Sequence, residues 1–253
     1  MSTDETTTRG SQCSVSGGNY EKQIFHIVKN CTIDENPLNT QEESQLGGSS
    51  ATNDIVIIHE GKEIGVEVKK YLTPDWMQCS IVYGSEQQKW KGSDKCKIPV
   101  ESRSIFNTFL NELTLFDGEI PPFMKKDITH EEWVEIKNNS KTFHDTYLEI
   151  PSDTIRKLYH AKGCHYIQVS DDFGLYHLGE DVCDFQVPLF DLPTRLRVRT
   201  KVHSRKNKKG FCSLSVTVAC QPTNIKTLPK SPYSLDNIEK LPTIIVHRPT
   251  TTN

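Results

Sequence analysis

The chain has no apolar run near the roughly 18 residues that a membrane-spanning helix needs, so no transmembrane span is expected. None of its eight cysteines (13, 31, 79, 96, 164, 183, 212 and 220) forms a C-x-x-C pair. In a chain of 253 residues, cysteines so scattered point to free thiols in a reducing compartment rather than a disulfide framework. A zinc site can be drawn from His160, Cys164, His165, His177 and Cys183, but the spacing matches no common zinc pattern. There is no excess of basic charge: 30 Lys and Arg against 33 Asp and Glu leave a net −3. A globally basic nucleic-acid binder is thereby excluded, and any such surface must come from local clustering. No internal repeat is visible. The sequons Asn30-Cys31-Thr32 and Asn138-Asn139-Ser140 have no signal peptide ahead of them and are not read as glycosylation sites. A soluble intracellular protein is expected, cytoplasmic, or nuclear in a eukaryotic or viral source, with no membrane partner. Hydrophobic content of 35% with 25% charged residues is polar but sufficient for a real core.

Acids stand where core strands usually have none. Asn53-Asp54-Ile55-Val56-Ile57-Ile58 and Glu63-Ile64-Gly65-Val66-Glu67-Val68-Lys69 are short β-branched runs, which favours strands over a helix. Between them Glu60-Gly61 is a plausible two-residue turn. A turn centred there pairs His59 with Lys62 and Ile58 with Glu63, and continues to set Asp54 opposite Glu67. Facing residues have Cβ atoms about 4.5–5.5 Å apart. Two carboxylates at that separation repel as bare ions but fit a shared divalent cation. Lys69, two residues past Glu67, projects from the same face. Ile64, Val66 and Val68 take the other face, toward a core. Hard oxygen ligands select Mg²⁺, with Mn²⁺ as a substitute. Such an ion activates water and stabilises phosphate charge, and the lysine can orient that water, which suits phosphodiester hydrolysis. The alternative is an ordinary edge hairpin whose polar face is solvated.

This segment resembles the core of the PD-(D/E)XK nuclease superfamily. Asn53-Asp54 stands where the family has Pro-Asp, and Glu67-Val68-Lys69 matches acid-x-Lys. The resemblance covers residues 19–70. It implies an α/β (α+β) fold, restriction-endonuclease-like, with a central mixed sheet flanked by helices. It also implies metal ligation by Asp54, Glu67 and the Val68 carbonyl, and a catalytic role for Lys69. The family often has an acid on its first helix; Tyr20-Glu21-Lys22-Gln23-Ile24-Phe25-His26-Ile27-Val28 fits one, with Glu21 the matching acid.

Four segments are expected. Residues 1–18, rich in Thr, Ser and Gly, read as a disordered arm. Residues 19–125 form the nuclease core, its helix starting after Gly18 with Asn19 as a possible cap. Residues 34–53 read as a flexible loop. Strands are expected at Gln78–Tyr83 and Glu86–Trp90, and a helix over Ser104–Leu113. Residues 126–220 form a helical and β-rich extension. There Thr129-His130-Glu131-Glu132 carries a capping box, and a helix from Pro151 stops at Gly163. Two helices with a connector could also be a helix-turn-helix reader, though the connector is long. Residues 221–253 form a proline-containing tail draped over the fold.

Arg195 to His203 alternates basic and apolar residues, then Ser204 to Gly210 is a basic loop and Phe211 to Cys220 returns. This predicts a β-hairpin with one cationic face and tip, carrying Arg195, Arg197, Arg199, Lys201, His203, Arg205, Lys206, Lys208 and Lys209. A two-stranded ribbon fits the DNA major groove, where arginine reads guanine edges; tip lysines suit phosphate contacts. A solvated charged strand is the alternative. Together these features lead to an expectation of a Mg²⁺-dependent endonuclease acting on double-stranded DNA, most like a type II restriction endonuclease, with no nucleotide cofactor. A homodimer is what the resemblance implies. A nicking or repair nuclease, a junction resolvase, or a non-catalytic DNA-binding protein would share the core.

Overall fold

The computed structural model describes residues 3–46, 52–206 and 212–248. In chain order the elements are helix α1 (Thr3–Lys29), strands β1 (Cys31–Ile33), β2 (Asn36–Pro37), β3 (Ile55–His59), β4 (Lys62–Lys69), β5 (Trp76–Gly84) and β6 (Lys89–Gly92), and helices α2 (Val100–Leu110) and α3 (His130–Asn139). Strand β7 (Thr146–Ile150), helix α4 (Thr154–Ala161) and strands β8 (Cys164–Val169), β9 (Gly174–His177), β10 (Thr194–Lys206), β11 (Cys212–Pro222) and β12 (Val246–His247) follow. The fold is α+β.

The hairpin β3–β4 forms in the expected register, with His59 opposite Lys62 and Ile55 opposite Val66. Glu60 and Gly61 both have positive φ, 49° and 73°, the geometry of a hairpin turn whose twist matches its strands. The hairpin is half of a four-stranded sheet ordered β3-β4-β8-β9. β8 lies parallel to β4 while the other pairs are antiparallel, so the expected mixed sheet is present.

β4 is buried along Ile64–Val68 even though that stretch carries Glu67. Ile64, Val66 and Val68 share a core with Tyr20, Ile24, Phe25 and Val28 of α1. Complete burial of such a side chain contributes about 1.5–3 kcal/mol. Across the sheet, the register sets Glu67 and Lys69 beside Ile167 and Val169, which belong to the larger core with Tyr159, Trp76 and Phe190. A solvated edge hairpin is therefore excluded: Glu67 is only 2% exposed.

The second sheet is ordered β6-β5-β11-β10-β7. The basic strand is thus a central strand of five, antiparallel to β7 on one side and β11 on the other. Its apolar residues Leu196 and Val198 enter the larger core. The tail is fastened rather than merely draped. Buried Gln168 donates to Ser234 Oγ at 2.8 Å and accepts from the Leu235 amide at 2.9 Å, while Tyr20 donates to Asp236 Oδ2 at 2.6 Å. β12 then pairs with β1.

Several expectations are corrected. Residues 3–18, taken for a disordered arm, are the first turns of α1, and Asn19 lies inside that helix. Thr, Ser and Gly carry weak helix propensity, but these turns continue from a packed helix, and Ser16 accepts from Lys70 Nζ at 2.8 Å. The 34–53 loop contains β2 and a 3₁₀ turn at Glu43–Gln45. The boundary at residue 125 does not separate the sheets: β8 from beyond it joins the hairpin sheet, and β5 and β6 from before it join β10 and β11. Local composition cannot report such interleaving. The capping box forms as expected, with Glu132 N–H donating to Thr129 Oγ1 at 3.1 Å. β7 lies between α3 and α4 and pairs into the second sheet, so the two are not a helix-turn-helix.

Candidate active site

Asp54 precedes β3, just outside the hairpin ladder, and is held there by β4. Its Oδ2 accepts from the Val68 amide at 2.9 Å. Close packing behind it depends on Gly65. A Cβ at that position would lie 2.4 Å from Asn53 Cγ and 2.4 Å from the Gly163 carbonyl oxygen. Only glycine lets the Asn53–Asp54 bend approach β4 and the α4–β8 junction so closely. Asn53 accepts a weak hydrogen bond from Cys164 Sγ at 3.2 Å.

Glu67 and Asp54 share two ammonium groups. Lys69 Nζ pairs with Glu67 Oε1 and lies 3.8 Å from Asp54 Oδ2. Lys162 Nζ lies 2.5 Å from Glu67 Oε2 and 3.3 Å from Asp54 Oδ1. Burial disfavours the charge on each lysine, but Glu67 and then Asp54 outweigh it and hold both above the ordinary lysine range. Both are therefore cations at neutral pH. Lys69 also donates to the Val68 carbonyl at 3.2 Å and stands 5.4 Å from the Tyr159 ring centroid. Glu21 on α1 lies within the field of the same groups. Burial, then the Asp54 charge, push its carboxyl up to about 7, with Lys69 opposing.

Expected residues Asp54, Glu67, Val68 and Lys69 thus converge, and Glu21 feels them. Among the described residues no three His, Cys, Asp or Glu side chains gather as a metal site, which applies equally to the zinc set from His160 to Cys183. The oxygen donors still suit Mg²⁺. That ion keeps several waters and needs only one or two carboxylates, which Asp54 and Glu67 supply beside the Val68 carbonyl. Lys162 was not foreseen. A lysine ending a helix is common and carries no distinguishing mark.

The basic strand is more heavily paired than its sequence suggests. Arg197 bonds Asp145 Oδ2 through Nε at 2.7 Å and lies 3.4 Å from Asp75 Oδ1; Arg199 pairs with Asp75 Oδ2 at 2.7 Å. Asp75 is buried and also accepts from Gln221 Nε2 at 2.7 Å. Arg195 stacks 4.2 Å from the Tyr147 ring centroid and donates to Gln221. Burial and the neighbouring Arg199 lower the Lys201 pKa, and His203 shares a hydrogen bond with Ser215 Oγ at 2.8 Å. Arg205 and Lys206 lie at the end of β10; Lys208 and Lys209 lie outside the described residues.

No family model matches the chain. No curated protein matches it either. Among solved structures it is similar to HhaI endonuclease in complex with DNA, at 13% identity and a TM-score of 0.40, over 81% of this chain and 91% of that one. No helix among the described residues is long and apolar enough to cross a membrane.

Proposed function

We propose that this chain is a divalent-metal-dependent endonuclease that hydrolyses phosphodiester bonds in double-stranded DNA, acting as a sequence-specific type II restriction endonuclease. One observation carries the proposal: Glu67 is buried beside Asp54, with Lys69 on the same face. Burying an acid pair with cations costs more than apolar packing of the same volume, so a stability role alone does not account for it.

Asp54, Glu67 and the Val68 carbonyl would hold Mg²⁺, or Mn²⁺ in its place. Bound there, the ion would supply a water of lowered pKa and stabilise charge on the phosphate. Asp54 is preoriented by the Val68 amide. Lys69 is held protonated, so its Nζ acts as a donor rather than a base. It would orient the attacking water and offset charge developing on the phosphate oxygens. Glu21 is a further carboxyl within the site's field.

Duplex DNA would lie along the β10 face. Arg195, Arg197, Arg199, Lys201 and His203 fall on one side of that strand by its period of two. Asp75 and Asp145 fix two of those guanidinium groups in place. In sequence the basic run continues through Arg205, Lys206, Lys208 and Lys209, and lysine suits phosphate contact. A homodimer acting on a palindrome follows from the family resemblance. The test is incubation with mixed-sequence duplex DNA and Mg²⁺, followed by sequencing of fragment ends. Discrete ends with a common flanking sequence are expected. Intact DNA, or random ends, would contradict a site-specific nuclease.

A further inference from the structure

Lys162 is a buried charged group that the proposed chemistry leaves without a task. Its side chain is 4% exposed, and an unpaired ammonium at that depth would be strongly unfavourable. Its partners are the two carboxylates assigned to the metal. Oε2 of Glu67 and Oδ1 of Asp54 face Lys162, while Oε1 of Glu67 and Oδ2 of Asp54 face Lys69. All four carboxylate oxygens are therefore engaged by ammonium groups.

The position of Lys162 is set by the fold. It ends α4, its amide bonding the Tyr159 carbonyl at 3.0 Å, and Gly163 turns the chain into β8 with φ of 85°. β8 runs parallel to β4, with Ile167 opposite Glu67. The α4–β8 junction thus delivers one cation to the pair from a remote segment. Lys162 also lines a polar cleft of about 520 Å³ with Gln41, Asn53 and Glu63. That cleft gives the ammonium a polar place to go when it leaves the acids.

We propose that Lys162 is a positioning residue that serves as a resident counter-cation. It holds Asp54 and Glu67 together in the metal-free protein and competes with the divalent cation for their oxygens. This rests on the reading that those two acids bind the metal. With Lys69 alone, two carboxylates would share a single ammonium group; Lys162 supplies the second positive charge that keeps them in place before the metal arrives. The cost is weakened metal affinity, because the ion must displace a charge already paired.

Mn²⁺ binding without DNA tests this, by calorimetry on wild type, Lys162→Met, Lys162→Arg and Asp54→Asn. Removing a unit charge that pairs with the oxygens that would hold the ion should tighten Mn²⁺ binding of Lys162→Met by about tenfold or more, even heavily screened. Lys162→Arg, which keeps the charge, should bind as wild type does. The metal-free melting temperature of Lys162→Met should fall, and Mn²⁺ should raise it by more than it raises wild type. Lys162→Gln, carried in parallel, gives the same comparison if the methionine variant does not fold. Unchanged or weaker binding in the neutral variants would overturn the role of Lys162 while leaving the metal site standing. Wild type that binds Mn²⁺ no better than Asp54→Asn would overturn the metal site and this inference with it.

Discussion

The Val68 amide donates to Asp54 Oδ2 at 2.9 Å, so the acid just outside the hairpin ladder is tied to the strand that carries Glu67 and Lys69. Asp54→Asn keeps an acceptor for that amide but removes one of two anions between two ammonium groups. Cleavage should fall to background. Metal-free stability should drop by about 3 kcal/mol, the lower end for breaking a buried pair. Denaturant unfolding beside a cleavage assay reads both; full activity in this variant would remove Asp54 from the site.

Gly65→Ala forces a methyl against Asn53 Cγ and the Gly163 carbonyl, each 2.4 Å away. The second obstacle is backbone and cannot swing aside. A loss of about 1–3 kcal/mol is expected, with cleavage reduced because the Asn53–Asp54 bend is pushed off β4. A urea midpoint equal to wild type would show that the bend yields without cost.

Asp75 and Lys201 should separate folding from DNA contact. Asp75→Asn leaves Arg199 without its carboxylate partner and Arg197 with Asp145 alone, and should cost about 3 kcal/mol, the lower end for a buried pair. Lys201→Ala should barely change stability but reduce the slope of log affinity against log salt by about one. Fluorescence anisotropy over a salt series measures the slope. If Lys201→Ala leaves it unchanged, the β10 face is a solvated strand and not a DNA surface.

Asp172 accepts from Lys230 Nζ at 2.7 Å and also pairs with Lys240, fastening the tail at the β8–β9 turn. The hydrogen bond from Lys230, then that from Lys240, holds its pKa at about 2 against an ordinary 3.8. A carboxyl depressed in the folded state stabilises above its unfolded value and loses that contribution as pH falls through its folded value. Asp172→Asn should therefore lower the melting temperature slightly at pH 7, with the difference closing between pH 3.8 and 2. A difference that persists below pH 2 would locate the effect in packing rather than charge.

The hairpin was legible because its constraints are local. Two short β-branched runs, a Glu60-Gly61 turn and a short loop leave one register, and His59 through Ile55 pair as that register requires. The capping box at Thr129 and the stop at Gly163 are equally local. Lys162 was not legible, since it meets Glu67 across 95 residues through a parallel pairing that no nearby residue encodes. The arginines of β10 showed their alternation but not their partners: Asp75 lies 122 residues from Arg197, and only the five-stranded sheet brings them together. The early start of α1 was hidden by a composition poor in helix formers.

Cleavage of duplex DNA in Mg²⁺ by wild type and Lys69→Ala tests the central claim most directly. Lys69 donates to Glu67 and stands 3.8 Å from Asp54, so the variant loses the donor proposed to hold water and phosphate. Wild type should give discrete fragments, and Lys69→Ala should cut more slowly by about 10²–10³-fold, the effect of removing one preorganised donor. Wild type that binds DNA without cutting it, or a variant that cuts as fast as wild type, would contradict the account.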